Sequence, residues 1–337
     1  MSAIAADTDV PAGWPRPLAE LHLHLEGTFE PEAIFEAAAR HDAALPYADL
    51  ADLQGRYEFA DLGSFLDLYY ANLDVLRTTA DFADLTWRYA VRAHRAGVRH
   101  AEVFVDPQAH AVRGIGTDVV LAGVDAGMTR ARTELDMTGG IIVCVVRDRP
   151  VPEARAMLDE ALATGIPLLG IGLDSAEVGY PPSLFAEVFE AAAAAGLHRV
   201  AHAGEEGPPA YIWEALDVLG AERIDHGVRC LDDDALVDRL VADRIPLTVC
   251  PLSNVRLRVV DTMRNHPLRR MLQRGLMVTV NSDDPAYFGG YLADKLAAVR
   301  AALGLTADEL ITLAGNSIDA SFAPADRKAA LHLELSR

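Results

Sequence analysis

Short apolar runs return eight times along this 337-residue chain, each separated from the next by a longer stretch with helical periodicity. Strand-length runs alternating with amphipathic segments are the pattern of βα units around a parallel sheet. The runs place strands at Leu18–His24, Val98–Val105, Gly140–Val146, Leu168–Leu173, Arg199–His202, Arg223–His226, Pro246–Pro251 and Leu276–Asn281. Ile141-Ile142-Val143-Cys144-Val145-Val146 is unbroken by polar residues, as a strand buried on both faces requires. Between the runs, Phe185, Val188 and Phe189 make an i, i+3, i+4 stripe that ends before Gly196, placed to be a C′ residue. Pro152 and Pro267 fit first helical turns, and Thr306 with Glu309 forms a capping box. Eight strands with helical crossovers favour one closed (β/α)8 (TIM) barrel over an open doubly wound sheet. No glycine-rich phosphate fingerprint follows the first run, which also argues against a dinucleotide fold.

About seventy residues, 27–97, separate the first two runs, far more than one crossover helix needs. A helical insertion is expected there. Its Phe65-Leu66-Asp67-Leu68-Tyr69-Tyr70 segment reads either as extra core or as a lid over the barrel mouth. Residues 1–16 read as an N-terminal extension, 17–323 as the barrel and 324–337 as a C-terminal tail. A hydrophobic fraction of 51% in a chain this long provides a large core without disulfides or a structural metal. Any metal site is therefore suspected of chemistry. The net charge of −20 opposes phosphate backbones and anionic lipid, which argues against nucleic-acid and membrane partners. Cys144, Cys230 and Cys250 are widely spaced in apolar surroundings and are expected as buried free thiols of a reducing compartment. Met1–Gly13 lacks the basic start of a signal peptide and no apolar run spans a bilayer, so a cytoplasmic protein is expected. Homo-oligomerisation is left open.

The polar residues with chemical potential fall at the ends of the expected strands, where barrel enzymes carry their reacting groups. His22 and His24 lie two apart on the first strand and so share a face. His202 and Glu205 follow the fifth strand, Asp225 and His226 end the sixth, and Asp283 and Asp284 follow the eighth, which neighbours the first in a closed barrel. Singly each has an ordinary reading: His-x-His arises by chance, a strand-end histidine is usually a bonded core residue, and Asp-Asp-Pro is a common cap. Together, imidazoles and a carboxylate converging on one axis suit a borderline cation such as zinc. His41, His94, His110, His198, His266 and His332 lie in expected loops or helices and are expected at the surface.

The succession Glu-Leu-His-Leu-His-Leu-Glu-Gly (20–27), Gly-Leu-Asp-Ser-Ala-Glu-Val-Gly (172–179), His-Ala-Gly-Glu (202–205), Asp-His-Gly-Val-Arg (225–229), Cys-Pro-Leu-Ser-Asn-Val (250–255) and Asn-Ser-Asp-Asp-Pro (281–285) resembles the adenosine/adenine deaminase family of the amidohydrolase superfamily. The resemblance runs from about residue 17 to about 323, and it too implies a (β/α)8 barrel. It implies one zinc ion per chain held by His22, His24, His202 and Asp283, the last also counted as catalytic. Glu205 would be the proton shuttle facing purine N1, and His226 would orient and help deprotonate the attacking water. Asp284 would bond the ring near N7, and the Asp174-Ser175 backbone would approach N3. Adenosine deaminases usually carry glycine where Ser175 stands. Phe65 and Leu66 are expected to contact the substrate from the insertion.

Glu26 occupies the position where adenosine deaminases typically hold an aspartate for the ribose 5′-hydroxyl. Its longer carboxylate would reach into the space of a sugar, and the neighbouring motifs are closer to the adenine deaminase branch. The expected reaction is hydrolytic deamination of adenine to hypoxanthine and ammonia, in purine salvage. The alternatives are adenosine or another 6-aminopurine nucleoside such as aminodeoxyfutalosine, or an N6-substituted adenine. A two-metal hydrolase of the superfamily would want a lysine at a strand end, and Lys295 and Lys328 are not so placed. A non-catalytic, zinc-stabilised binding protein would be expected to have lost Glu205, His226 or Asp284, and all three are present.

Overall fold

A computed structural model of the chain describes residues 14–337. The reading of Met1–Gly13, and with it most of the 1–16 extension, lies outside the described residues. Eight strands run in sequence order: β1 (Leu18–His24), β2 (Val98–Val105), β3 (Thr138–Val146), β4 (Gly170–Asp174), β5 (His198–Ala203), β6 (Arg223–His226), β7 (Leu247–Val249) and β8 (Val278–Val280). Every neighbouring pair is parallel. The ring closes where the Asp283 N–H donates to the His22 carbonyl and the His24 N–H to the Asp283 carbonyl, both at 3.0 Å. This is the (β/α)8 barrel expected from the alternation, and closure leaves no sheet edge unpaired.

Three strands have the expected bounds, and the others differ at their ends for local reasons. The run read as Pro246–Pro251 yields only Leu247–Val249, because Pro251 starts a helix, where its missing N–H is not needed. The run read as Leu276–Asn281 shortens to Val278–Val280, while that read from Leu168 starts at Gly170 and extends to Asp174. The expected capping box of Thr306 and Glu309 is present. Gly196 takes a positive φ of 81° just past its helix. Pro152 lies in a first helical turn, whereas Pro267 sits one place earlier as an N-cap.

The insertion carries four α-helices joined by loops: α1 (Pro31–Arg40), α2 (Leu50–Gly55), α3 (Leu62–Asn72) and α4 (Thr79–Arg95). Asp61 and Thr78 cap α3 and α4 in capping boxes, so each start is fixed by local sequence. Phe65 and Tyr69 bury one face of α3 among Phe59, Tyr287 and Phe288. Residues 325–335 form a helix tied back by Lys328 Nζ donating to the Asp319 carbonyl at 2.8 Å and by His332 facing the Asp319 carboxylate at 2.7 Å. All three cysteines are free and buried. No helix among the described residues is long and apolar enough to cross a membrane.

Alternation along the strands sends every second side chain into the barrel, in layers. At the bottom, Arg223 of β6 reaches Glu102 of β2 at 2.6 Å, and His100 meets the same carboxylate at 3.1 Å. The guanidinium and the His100 imidazole hold the Glu102 carboxyl down at about 2 against the opposing effect of burial. Above them Phe104, Ile142, Cys144 and Val200 form an apolar plug. Phe104 lies 5.1 Å and 5.2 Å, centroid to centroid, from His22 and His24. The chemistry therefore rests on a dry, rigid floor.

Candidate active site

β1 supplies His22 and His24, β5 supplies His202, and the turn after β8 supplies Asp283. The strand ends bring these four together as expected. His22 Nε2 and His24 Nε2 lie 3.2 Å and 3.4 Å from Asp283 Oδ1, and His24 Nε2 lies 3.1 Å from His202 Nε2. A tetrahedral cation with bonds of about 2.1 Å sets its ligands about 3.4 Å apart, so these spacings fit one metal ion. The buried His22 Nε2 has no hydrogen-bond partner, which is the state of a lone pair reserved for a metal. Burial keeps the His24 ring neutral, with a pKa near 3. His226 brings a ligand atom within 4.8 Å of those of His22, His202 and Asp283.

Groups behind the ligands orient them, as metal-binding imidazoles require. His22 Nδ1 faces the Thr248 hydroxyl at 3.0 Å, and that hydroxyl donates to Asp225 Oδ1 at 2.7 Å. The other Asp225 oxygen faces His202 Nδ1 at 3.4 Å, and Asp174 faces His24 Nδ1 at 3.5 Å. Burial would raise the Asp225 carboxyl, but His202, His22 and Arg223 together hold it well below the usual carboxylate range. Asp225 is thus an anion shared by two imidazoles. Ser175, His226 and Asp283 all have positive φ, at 67°, 60° and 62°. Such conformations are disfavoured for residues with a Cβ and mark places where the surroundings dictate the backbone.

Glu205 stands beside this cluster, with Oε2 3.6 Å from His226 Nε2. Burial raises its carboxyl well above the ordinary range, and the negative charges of Asp283, Glu177 and Glu206 push the same way. The group is a carboxylic acid able to give a proton. His226 is shifted the opposite way, by burial and then by His22, and is neutral. Asn254, from the helix Pro251–Arg256, places its amide nitrogen 3.4 Å from both Glu205 Oε1 and His226 Nδ1. Asp284 is likewise raised well above its ordinary value by burial and by Asp283.

A cleft open to solvent lies over these groups. Phe65, Leu66, Tyr69 and Tyr70 of α3 line it from one side, and Asp106, Asp174, Ser175 and Asp284 from the strand ends. Phe65 and Tyr69 serve the core and the cleft at once. The Tyr70 hydroxyl meets Ser175 Oγ at 3.2 Å and ties α3 to the rim after β4.

Glu26 is not brought to the wall of the cleft. Its Oε1 accepts from the Asp106 N–H at 3.2 Å and faces His110 Nε2 at 3.0 Å, and its Oε2 is buried without a partner. His110, expected at the surface, is fully buried against Glu26 and Arg113. His266 is buried as well: its Nε2 faces Asn254 Oδ1 at 3.2 Å, and its ring is kept neutral by burial, with a pKa near 4. His198 opens β5 and stacks on Phe322 at 3.9 Å. Lys295 is buried on the helix Leu292–Leu303, donating to the Phe288 carbonyl at 3.1 Å, and is not at a strand end.

Asp106 and Glu177 carry no assignment from the sequence. Asp106 directly follows β2, so the strand-end rule that selects Glu205 selects it too. Glu177 accepts four backbone N–H groups, from Gly204 at 2.6 Å, Glu205 at 3.0 Å, and Glu206 and Gly207 at 2.8 Å. No local signal in its loop points to that.

The profile of the adenosine deaminase family matches residues 17–337. An adenine deaminase of Streptomyces coelicolor is 58% identical over 314 residues, covering 93% of this chain and 92% of that protein. The crystal structure of adenine deaminase from Arthrobacter aurescens superposes with a TM-score of 0.94 at 53% identity, over 96% of this chain and 98% of that one. An amidohydrolase from Burkholderia ambifaria, solved with bound zinc, superposes at 0.88 with 30% identity, over 95% and 90% of the two chains. With its motifs at the strand ends of a closed barrel, its buried donor set and these matches across nearly its whole length, the chain belongs to the adenosine deaminase family.

Proposed function

We propose that this protein is a metal-dependent aminohydrolase that converts adenine and water to hypoxanthine and ammonia. The observation that carries the reaction type is the buried cluster of His22, His24, His202 and Asp283 with the acidic Glu205 beside it. The names of the relatives at 51–58% identity carry the choice of adenine. His22, His24, His202 and Asp283 would hold one zinc ion. When bound, the metal lowers the pKa of water to about 7 and so supplies a nucleophile at neutral pH.

The chain's own groups account for the rest. Glu205, held protonated, gives its proton to N1 as water adds to C6 and the ring loses aromaticity. His226, held neutral, accepts a proton from the attacking water. Asn254 fixes the spacing of these two groups. Burial, and next the Asp283 charge, raise the Asp284 carboxyl well above its ordinary value, which favours the protonated form that donates to N7, an acceptor. The Ser175 segment, held at positive φ, offers backbone to N3. The C6–N6 bond then breaks: the amino group takes one proton derived from the attacking water and leaves as ammonia, the other water proton restores Glu205, and N1 keeps its proton in hypoxanthine.

The test is a substrate panel of adenine, adenosine, deoxyadenosine and aminodeoxyfutalosine, followed by loss of the aminopurine absorbance with the bound metal quantified. Adenine is expected to be the preferred substrate, with about one zinc per chain. A nucleoside turned over about tenfold better than adenine would overturn the choice of substrate. A metal-loaded protein inactive on every 6-aminopurine would overturn the reaction.

A further inference from the structure

We infer that Asp106 is the specificity-determining contact for the free base, accepting the N9–H that a nucleoside lacks. The inference rests on the proposed function, because it uses the placement of N1, N3 and N7 given above.

The order of groups around the barrel mouth leads to it. In a purine ring the polar positions follow one another as N3, N1, the C6 substituent, N7 and N9, and then return to N3. Around the mouth, β4 offers the Ser175 segment to N3, β5 offers Glu205 to N1, the donor cluster faces C6, and the turn after β8 offers Asp284 to N7. The remaining arc, from β8 through β1 and β2 back to β4, must face N9. On that arc Glu26 is turned away, with Oε1 taken by the Asp106 N–H and His110. Asp106, at the end of β2, is the carboxylate that lines the cleft there.

Asp106 also has a vacancy for a donor. Its Oδ1 is buried with no donor of the protein on it and the residue is 3% exposed; burial, and next the Asp174 carboxylate beside it, raise the Asp106 carboxyl, but Asp174 has no N–H to give it. An unpaired buried acceptor is costly, so a ligand N–H at that place is recognised strongly and a ligand lacking it is rejected. The Asp106 N–H is anchored on Glu26, which fixes the backbone from which this carboxylate projects. Tyr70, bonded to Ser175 at 3.2 Å, ties α3 to the β4 side of the mouth, which limits the room for a substituent on N9. Glu26, His110 and Arg113 are then a support for Asp106 rather than a sugar contact.

The experiment compares kcat/KM for adenine and 9-methyladenine in metal-loaded wild type, Asp106→Ala and Asp106→Asn, with metal content measured for each. Wild type is expected to prefer adenine by about 100-fold or more. Asp106→Ala should lose about 100-fold on adenine but little on 9-methyladenine, so that the preference falls below about tenfold at unchanged metal content. Asp106→Asn, which keeps an oxygen acceptor, should recover part of the adenine activity. A preference that survives Asp106→Ala overturns the role of Asp106 and leaves the proposed function standing. Should the alanine variant fail to fold, a wild-type preference under about tenfold overturns the inference by itself. Failure of wild type on adenine, with adenosine turned over well, overturns the proposed function instead.

Discussion

Replacing Glu177 by glutamine tests whether the loop that carries Glu205 is held by one buried carboxylate. Oε2 accepts from Glu205, Glu206 and Gly207, and Oε1 from Gly204. Glutamine has a single acceptor oxygen, so its best orientation keeps three of the four bonds and turns an NH2 towards the remaining N–H. The lost charge-assisted bond is worth about 1.5–3 kcal/mol, and the three retained bonds each weaken by about 1 kcal/mol when the charge goes. Relief from burying a charge offsets part of this sum. A net destabilisation of about 3 kcal/mol follows, together with a loss in kcat of about 100-fold because the Glu205 carboxyl no longer sits in register with His226. Thermal unfolding reads the first, with a drop of several degrees in midpoint, and steady-state deamination of adenine by metal-loaded protein reads the second. The loop has other ties: Arg147 donates to the His202 carbonyl at 2.7 Å, and the Arg229 N–H donates to the Gly204 carbonyl at 2.9 Å. A variant with wild-type midpoint and wild-type kcat would show that these suffice and would refute the assignment.

Two further outcomes follow from individual positions. A Cβ at Gly27 would stand 2.1 Å from Asp284 Oδ1 and 2.7 Å from Asp284 Cα, so Gly27→Ala must displace Asp284 and should lower kcat/KM for adenine about 100-fold; full activity in that variant would contradict the placement of Asp284 against the substrate. Burial pushes Glu20 up from 4.5 to about 7, against its bond from the Ser282 N–H. A carboxyl raised on folding contributes stability that is complete below about 4.5 and is lost as pH rises through about 7. Glu20→Gln should therefore flatten the pH dependence of stability and gain up to about 3 kcal/mol relative to wild type at pH 8, read by denaturant titration at both ends of that window. Parallel pH profiles for the two proteins would show that Glu20 does not titrate there.

The barrel was legible because its signals are local. Each strand is a short apolar run, and the bounds of β1, β2 and β6 are those the residues imply. The proposed metal ligands were legible for a related reason: in a closed parallel barrel every strand end faces one mouth, so strand order alone brings His22, His24, His202 and Asp283 together. Apolar character overran β7 where Pro251 already starts a helix, and at β8 it overran mainly the start, where Leu276 and Met277 are buried and apolar but precede the strand.

Long-range pairing decided what local signals cannot carry. Glu177 looks like any loop acid until the chain 27 to 30 residues onward aims four N–H groups at it. His110 and His266 read as surface histidines, yet Glu26 and Asn254 draw them inside. Glu26 sits beside the ligands in sequence but turns its carboxylate to the Asp106 backbone, 80 residues away, and it is Asp106 that comes to the wall of the cleft. A side chain's direction at a strand end depends on which donors its neighbours leave unpaired, and those neighbours belong to other strands. By itself the sequence determined the barrel, the buried His/Asp cluster at its mouth and the acid beside it, because periodicity and strand ends are local properties. The tertiary structure decided which carboxylates line the cleft and which stand behind it, because only the packed chain fixes where each buried charge finds its partner.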